Sequence, residues 1–222
     1  MGSVRGVDGL LTFNKSLKSE VEVERLLDIL VRQMRLFVAI NFPDQIKQVL
    51  SSLVKELRRL PADARWVKER NFHLTVQFLG NVPEGQVPDI VASLDRSAAG
   101  VPPFRLDLGG VGVFPSIERP RVFWSGVMGE TAALSRLYRR VWEEMAELGF
   151  VPEKRRFSPH LTLARLRSPK GFADVMERAE GLARQHGKFG STAINSVELM
   201  LSELSPGGPK YTILARIPLS GR

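Results

Sequence analysis

The sequence contains no cysteine and only three histidines among its 222 residues. Without cysteine the chain can form neither disulfides nor thiolate metal sites, and such a composition suits a reducing cytoplasm. No apolar run approaches the roughly 20 residues of a membrane helix, and the first 33 residues lack the apolar centre of a signal peptide. We therefore predict a cytoplasmic protein that does not enter membranes.

Acidic residues are too few to balance the basic ones, and the formal net charge is +8. Residues 1–33 hold five basic and five acidic residues, so the whole excess lies in the body that starts at Met34. A basic body favours a polyanionic partner, above all nucleic acid, although a generally basic surface would give the same charge. We expect residues 1–33 to be a dispensable N-terminal extension.

The body alternates between strand and helix patterns, in the order β-α-β-α and then β-β-α-β-α-β-β. In the strand "NFHLTVQFLG", simple alternation predicts an apolar face and a polar face that ends at Gln77; the apolar face comprises Phe72, Leu74, Val76 and Phe78. The strand and helix intervals predict an α+β fold with two antiparallel-sheet lobes and helices packed outside. No linker separates the lobes, so residues 34–222 are expected to form one bilobal domain.

Two of the three histidines begin the same pattern, H-L-T followed by an aliphatic residue, at His73 and at His160. By chance, a given histidine would begin this pattern about once in a thousand cases. Residues i and i+2 of a strand face the same way, so Thr75 shares a face with His73, and Thr162 with His160. The two pairs, one on each lobe, predict a cradle of two imidazoles and two hydroxyls.

A tetrahedral anion such as phosphate suits this cradle, because it offers oxygens on several sides. Two histidines also suit in-line attack at phosphorus, where one takes a proton from the nucleophile and the other protonates the leaving oxygen. A metal site is disfavoured, because catalytic zinc sites usually need three protein ligands and neither motif has an adjacent carboxylate. The third histidine, His186, lies near a helix end and is interpreted as structural or solvated.

The two histidine motifs and the residues around them resemble those of a known family. The paired H-x-T-x motifs, 87 residues apart, resemble those of the two-histidine phosphoesterases. The flanks are similar to the RNA 2',3'-cyclic phosphodiesterases, also called bacterial 2'-5' RNA ligases (LigT-like). The matching stretches are "RLFVAI", "RWVKERNFHLTVQFLGNV", "GVGVFP", "PRVFWSGV", "PEKRRFSPHLTLAR", "ELMLSEL" and "GPKYTIL".

The resemblance implies a bilobal two-histidine phosphoesterase fold with the site in a central groove. It implies metal-independent hydrolysis of RNA-terminal or nucleoside 2',3'-cyclic phosphates to 2'-phosphates, with reversible 2'-5' RNA ligation and no cofactor. By motif match His73 would be the proton donor and His160 the proton acceptor, while Thr75 and Thr162 would bind phosphate oxygens. We also expect a monomer.

Arg165 is the favoured candidate for an RNA contact, and we expect it to share the face of His160; the alternative is a solvated arginine at the end of the strand. Some of the basic residues Arg121, Lys154, Arg155, Arg156 and Arg167 would also neutralise phosphates, and the aromatic residues Phe78, Phe123 and Trp124 would either stack a base or belong to the core. Two alternatives to the RNA enzyme remain: a non-catalytic module that binds RNA or nucleotide phosphate, and a phosphodiesterase acting on a small cyclic nucleotide.

Overall fold

The computed structural model describes residues 32–151 and 157–221. The predicted extension, residues 1–33, lies outside this part except for Arg32 and Gln33, and Gln33 already belongs to the first strand. Arg32 is anchored to the body as well, because its carbonyl accepts a hydrogen bond from the backbone N–H of Glu84. The described chain therefore begins within a residue or two of the predicted boundary.

In the described part, nine strands and four helices follow one another in the order β1-α1-β2-β3-α2-β4-β5-α3-β6-α4-β7-β8-β9. The strands are β1 (Gln33–Asn41), β2 (Ala64–Trp66), β3 (His73–Pro83), β4 (Phe104–Phe114), β5 (Val122–Gly129), β6 (His160–Leu166), β7 (Gly190–Ile194), β8 (Ser196–Ser205) and β9 (Gly208–Pro218). The helices are α1 (Asp44–Leu57), α2 (Val87–Ala98), α3 (Thr131–Glu147) and α4 (Phe172–His186). The sequence patterns predict all four helices, and the spacing of apolar residues indicates α1 and α3 in particular.

The sheet consists of two antiparallel halves that meet at the strands of the two motifs. The first half has the order β9-β8-β1-β3, the second β6-β5-β4-β7, and β2 adds to β6. A single residue pair, Leu74 with Leu161, joins β3 to β6. This arrangement confirms the predicted α+β fold with two antiparallel lobes, and the strand order shows that the lobes share one continuous sheet.

The helices cross between the two halves. Helix α1 follows a strand of the first half but packs on α4 and β7 of the second, whereas α3 follows the second half and packs on β3 and α2 of the first. One contiguous apolar core, which includes Leu74 and Leu161, lies beneath both halves. Each half of the sheet is therefore covered by a helix that follows a strand of the other half. Cutting the chain at one point would not separate the two lobes.

Candidate active site

The two H-L-T motifs occupy equivalent positions at the start of neighbouring strands. His73 is the first residue of β3 and His160 is the first residue of β6. Since β3 and β6 run antiparallel with Leu74 opposite Leu161, the register directs His73 towards Thr162 and Thr75 towards His160. Both leucines are completely buried, so the histidines and threonines share the opposite face of the sheet. The structure thus brings the four predicted residues together.

Each imidazole is held by a hydrogen bond of the same kind, from Nδ1 to the carbonyl oxygen two residues earlier in the chain. The Nδ1 atom of His73 lies 2.8 Å from the carbonyl oxygen of Asn71, and that of His160 lies 2.7 Å from the carbonyl oxygen of Ser158. A carbonyl only accepts, so Nδ1 must carry a proton, and Nε2 is the nitrogen that gains or loses one. In His73, Nε2 also lies 3.1 Å from Oγ1 of Thr75. Each ring is therefore oriented for proton transfer through Nε2.

Burial and positive charge keep His73 neutral in the free protein. Its ring lies 5.0 Å from the ring of Phe37 and 5.2 Å from that of Tyr211. The pKa of His73 is lowered from 6.5 to about 4, mainly by burial and to a smaller extent by the positive charges of Lys47 and Arg165, while the bond to the Asn71 carbonyl acts in the opposite direction. A proton on His73 near neutral pH therefore needs an anion beside the ring.

A groove of about 450 Å³ opens beside His73 and Thr162. Four cationic side chains line it, and none of the described lining residues is acidic; the four are Arg35, Arg65, Lys68 and Arg165. Aromatic rings line the same groove beside His73, and we call Phe37, Phe78 and Tyr211 the His73-side aromatic group. A groove with cations and aromatic rings offers partners for both phosphates and bases.

Two β-bulges decide which residues reach this groove. Along β3 the pairing with β1 moves from Thr75 directly to Gln77, and along β6 the pairing with β5 moves from Thr162 directly to Ala164. In β3 the successive residues Val76 and Gln77 therefore both face the core, so Gln77 is buried while Phe78 is 51% exposed. The predicted alternation was therefore wrong at Gln77 and Phe78. Arg165 lines the groove, but its expected phase with His160 arises only from the bulge in β6, because strict alternation from His160 would turn Arg165 to the other face.

The other predicted contacts have four different outcomes. Arg121 donates to the carbonyl of Arg167, and Arg167 lies 3.8 Å from the carboxylate of Asp63, so neither belongs to the groove lining. Phe123 is completely buried, so of its two expected positions it occupies the core and does not stack a base. Trp124 lies beside His160. The predicted contacts at Lys154, Arg155 and Arg156 lie outside the described residues.

Sequence reasoning missed Arg35, Arg65, Lys68 and Tyr211 as groove residues. All four fall in stretches that carry the family resemblance, "RLFVAI", "RWVKERN" and "GPKYTIL", and this was the available signal. His186 is exposed at the end of α4 and is not a groove residue, as expected. Within the described ranges, no cluster of three or more His, Asp or Glu side chains could hold a metal ion, and no helix is long and apolar enough to cross a membrane.

Comparison with known proteins agrees with the resemblance. Residues 40–124 and 127–211 each match the family described as LigT like Phosphoesterase, and each stretch contains one H-L-T motif. A protein of Aquifex aeolicus named RNA 2',3'-cyclic phosphodiesterase is 31% identical over 194 residues, which cover 86% of this chain and 100% of the relative.

Solved structures of E. coli LigT are similar to this fold. The complex with 3'-AMP has a TM-score of 0.69 at 27% identity, over 85% of this chain and 99% of that chain. The complex with phosphate has a TM-score of 0.63 at 27% identity, over 85% of this chain and 98% of that chain. The two matched sequence stretches cover most of the residues and both histidine motifs, and the chain therefore belongs to the LigT-like phosphoesterase family.

Proposed function

We propose that this protein is a cyclic phosphodiesterase that hydrolyses RNA-terminal or nucleoside 2',3'-cyclic phosphates to 2'-phosphates. The observation that supports this most strongly is the pair of imidazoles on adjacent strands, each with Nδ1 fixed and Nε2 left for proton transfer. The relatives named RNA 2',3'-cyclic phosphodiesterase support the same substrate.

In the proposed reaction His160 is the base and His73 is the acid, following the match to the family motif. Nε2 of His160 takes a proton from water as the water oxygen bonds to phosphorus. The bond from phosphorus to the 3'-oxygen breaks, and protonated Nε2 of His73 gives its proton to that oxygen. The product is a 2'-phosphate with a free 3'-hydroxyl, and the two imidazoles supply both proton transfers without a metal ion or cofactor.

The threonines are proposed to hold the phosphate. The Thr75 hydroxyl already lies at hydrogen-bond distance from Nε2 of His73, so an oxygen bound by this hydroxyl would lie close to the acid. Thr162 lines the groove together with His73. Each hydroxyl would contribute a neutral hydrogen bond of about 1 kcal/mol, so Thr75→Ala and Thr162→Ala should be milder than loss of either histidine.

The groove supports RNA ends as partners. Its four cations, in a lining whose described residues include no carboxylate, suit a chain of phosphates that continues beyond the reacting one. The alternative of a small cyclic nucleotide would use the cradle but not the whole groove. The alternative of a pure binding module would not need Nε2 of both imidazoles free for protons. If the reaction is reversible, a 5'-hydroxyl in place of water would give 2'-5' ligation of RNA ends.

Comparing two substrates in EDTA tests the proposal. We expect conversion of a nucleoside 2',3'-cyclic phosphate to the 2'-phosphate, identified by ³¹P NMR, and a higher kcat/KM for an oligonucleotide with the same cyclic end. Equal kcat/KM values would favour the small nucleotide. Tight phosphate binding without turnover would favour the binding module, and formation of a 3'-phosphate would contradict the proposed leaving group.

A further inference from the structure

A second aromatic surface lies on the other side of the cradle, against His160. The ring of Phe114 meets the His160 ring edge to face at a centroid distance of 5.0 Å, and the Trp124 ring lies 6.4 Å away. The two aromatic rings are 5.1 Å apart and both are half-buried, so part of each faces solvent. We call Phe114 and Trp124 the His160-side aromatic pair.

The position of this pair follows from the sheet. Trp124 on β5 pairs with Thr162 on β6, which places the indole next to the phosphate-binding hydroxyl. On its other side Trp124 pairs with Gly112 of β4. A Cβ atom at Gly112 would lie 2.2 Å from the indole ring, so only glycine lets the indole lie across β4. The backbone is therefore built to hold a flat ring beside His160.

The indole N–H of Trp124 is inaccessible to water and has no hydrogen-bond partner within the described part of the chain. Tryptophan N–H groups usually find a partner when they are buried. Because this N–H is inaccessible while the ring as a whole is half-buried, a bound molecule would meet the exposed part of the ring and not this donor.

Aromatic surfaces therefore border the cradle on both sides, the His73-side aromatic group on one and the His160-side aromatic pair on the other. A nucleoside cyclic phosphate brings one base, and the cationic groove beside His73 suits the strand that carries it. A water molecule needs no aromatic surface. The second surface lies on the side of the proposed base, where the attacking oxygen enters.

We propose that Phe114 and Trp124 form a second nucleoside subsite, which binds the nucleoside that carries an attacking 5'-hydroxyl. This inference rests on the proposed function and on its acid–base assignment. The 5'-oxygen bonds to phosphorus and its proton passes to Nε2 of His160. The bond from phosphorus to the 3'-oxygen breaks, and His73 protonates that oxygen, so a 2'-5' linkage forms without any other reactant. By reversal, the same subsite holds the leaving nucleoside when a 2'-5' linkage is cleaved.

The test measures transfer and hydrolysis in one reaction. An oligonucleotide with a 2',3'-cyclic phosphate end is mixed with a labelled 5'-hydroxyl oligonucleotide, and ligated and hydrolysed products are counted as acceptor concentration rises. Loss of a base–aromatic stack should lower the ratio of ligated to hydrolysed product by about tenfold and raise the acceptor KM. We expect this for Phe114→Leu and for Trp124→Leu.

Phe78→Leu is the matched control, because it removes a ring from the His73-side aromatic group. It should slow both reactions and leave their ratio unchanged. Trp124→Phe keeps a flat ring and should retain more transfer than Trp124→Leu, which distinguishes stacking from a folding defect. The inference is overturned if the wild type hydrolyses the cyclic end but never transfers it, or if folded Phe114→Leu keeps the wild-type ratio. Failure of hydrolysis in the wild type would instead refute the proposed function.

Discussion

Binding of phosphate should move the pKa of His73 back towards the ordinary histidine range. In the free protein, burial holds this pKa at about 4 instead of 6.5. The difference corresponds to about 3 kcal/mol against the charged ring. At pH 7 only about one molecule in a thousand would carry the proton that the proposed acid must donate.

A bound anion can offset this cost. One negative charge about 4 Å from the ring contributes about 4 kcal/mol at the effective dielectric constant of a protein surface. The sign favours the imidazolium form, so the pKa rises, by roughly 3 for a fully charged neighbour. Phosphate in the cradle therefore supplies about what burial has removed, and the proposed acid becomes charged only when substrate is present.

The assay is a pH titration of the histidine ring signals by NMR, with and without inorganic phosphate. The chain has only three histidines, so His73→Ala and His160→Ala assign the spectrum and exposed His186 serves as the internal reference. We expect the His73 signal to titrate near pH 4 in the free protein and at least one pH unit higher with phosphate. A His73 that titrates near 6.5 in the free protein, or one that phosphate leaves unchanged, would refute this reasoning.

Three further predictions concern other parts of the chain. A chain that starts at Met34 should keep its turnover of a cyclic nucleotide, because the extension is charge-balanced and its two described residues, Arg32 and Gln33, do not line the groove; a large loss of turnover would show that the extension completes the site. Arg65→Ala should reduce the slope of log affinity for an oligonucleotide against log salt by about 1, whereas Arg167→Ala, outside the groove lining, should not; equal slopes would argue against a phosphate contact. Asn71→Ala removes the hydrogen bond of 2.8 Å to the Pro209 carbonyl in the β8–β9 hairpin but keeps the backbone carbonyl that holds His73. KM for oligonucleotides should therefore rise more than kcat falls, and an unchanged KM would show that the hairpin needs no such anchor.

The placement of the four motif residues on one face of the sheet could be predicted, because it depends on short-range spacing. Residues two positions apart on a regular strand face the same side of the sheet, independently of the rest of the fold. His73 and Thr75, and His160 and Thr162, obey this rule because both bulges lie beyond the motif threonine. The prediction that Gln77 lies on the same face as His73 and Thr75 was wrong. The bulge adds one residue to the strand, and the sequence composition gives no sign of it.

The cationic groove could not be predicted from spacing, because its residues come from distant segments. Arg35 lies on β1, Arg65 on β2 and Arg165 on β6, and only β2–β6 pairing sets Arg65 opposite Arg165. The crossing of α1 and α3 between the two halves was equally hidden, since helix periodicity shows which face is apolar but not which sheet covers it. Such features depend on long-range pairing rather than on local pattern.

The central claim is that His73 and His160 act as one acid–base unit on a 2',3'-cyclic phosphate, and a comparison of single and double variants tests it most directly. Turnover of a nucleoside 2',3'-cyclic phosphate is measured in EDTA for the wild type, His73→Ala, His160→Ala, the double variant and His186→Ala as control. Each single loss should lower kcat by about 10²–10⁴-fold, the double variant should lose less than the product of the two, and His186→Ala should match the wild type. Near-full activity in either single variant, or activity that appears only with added metal, would contradict the account.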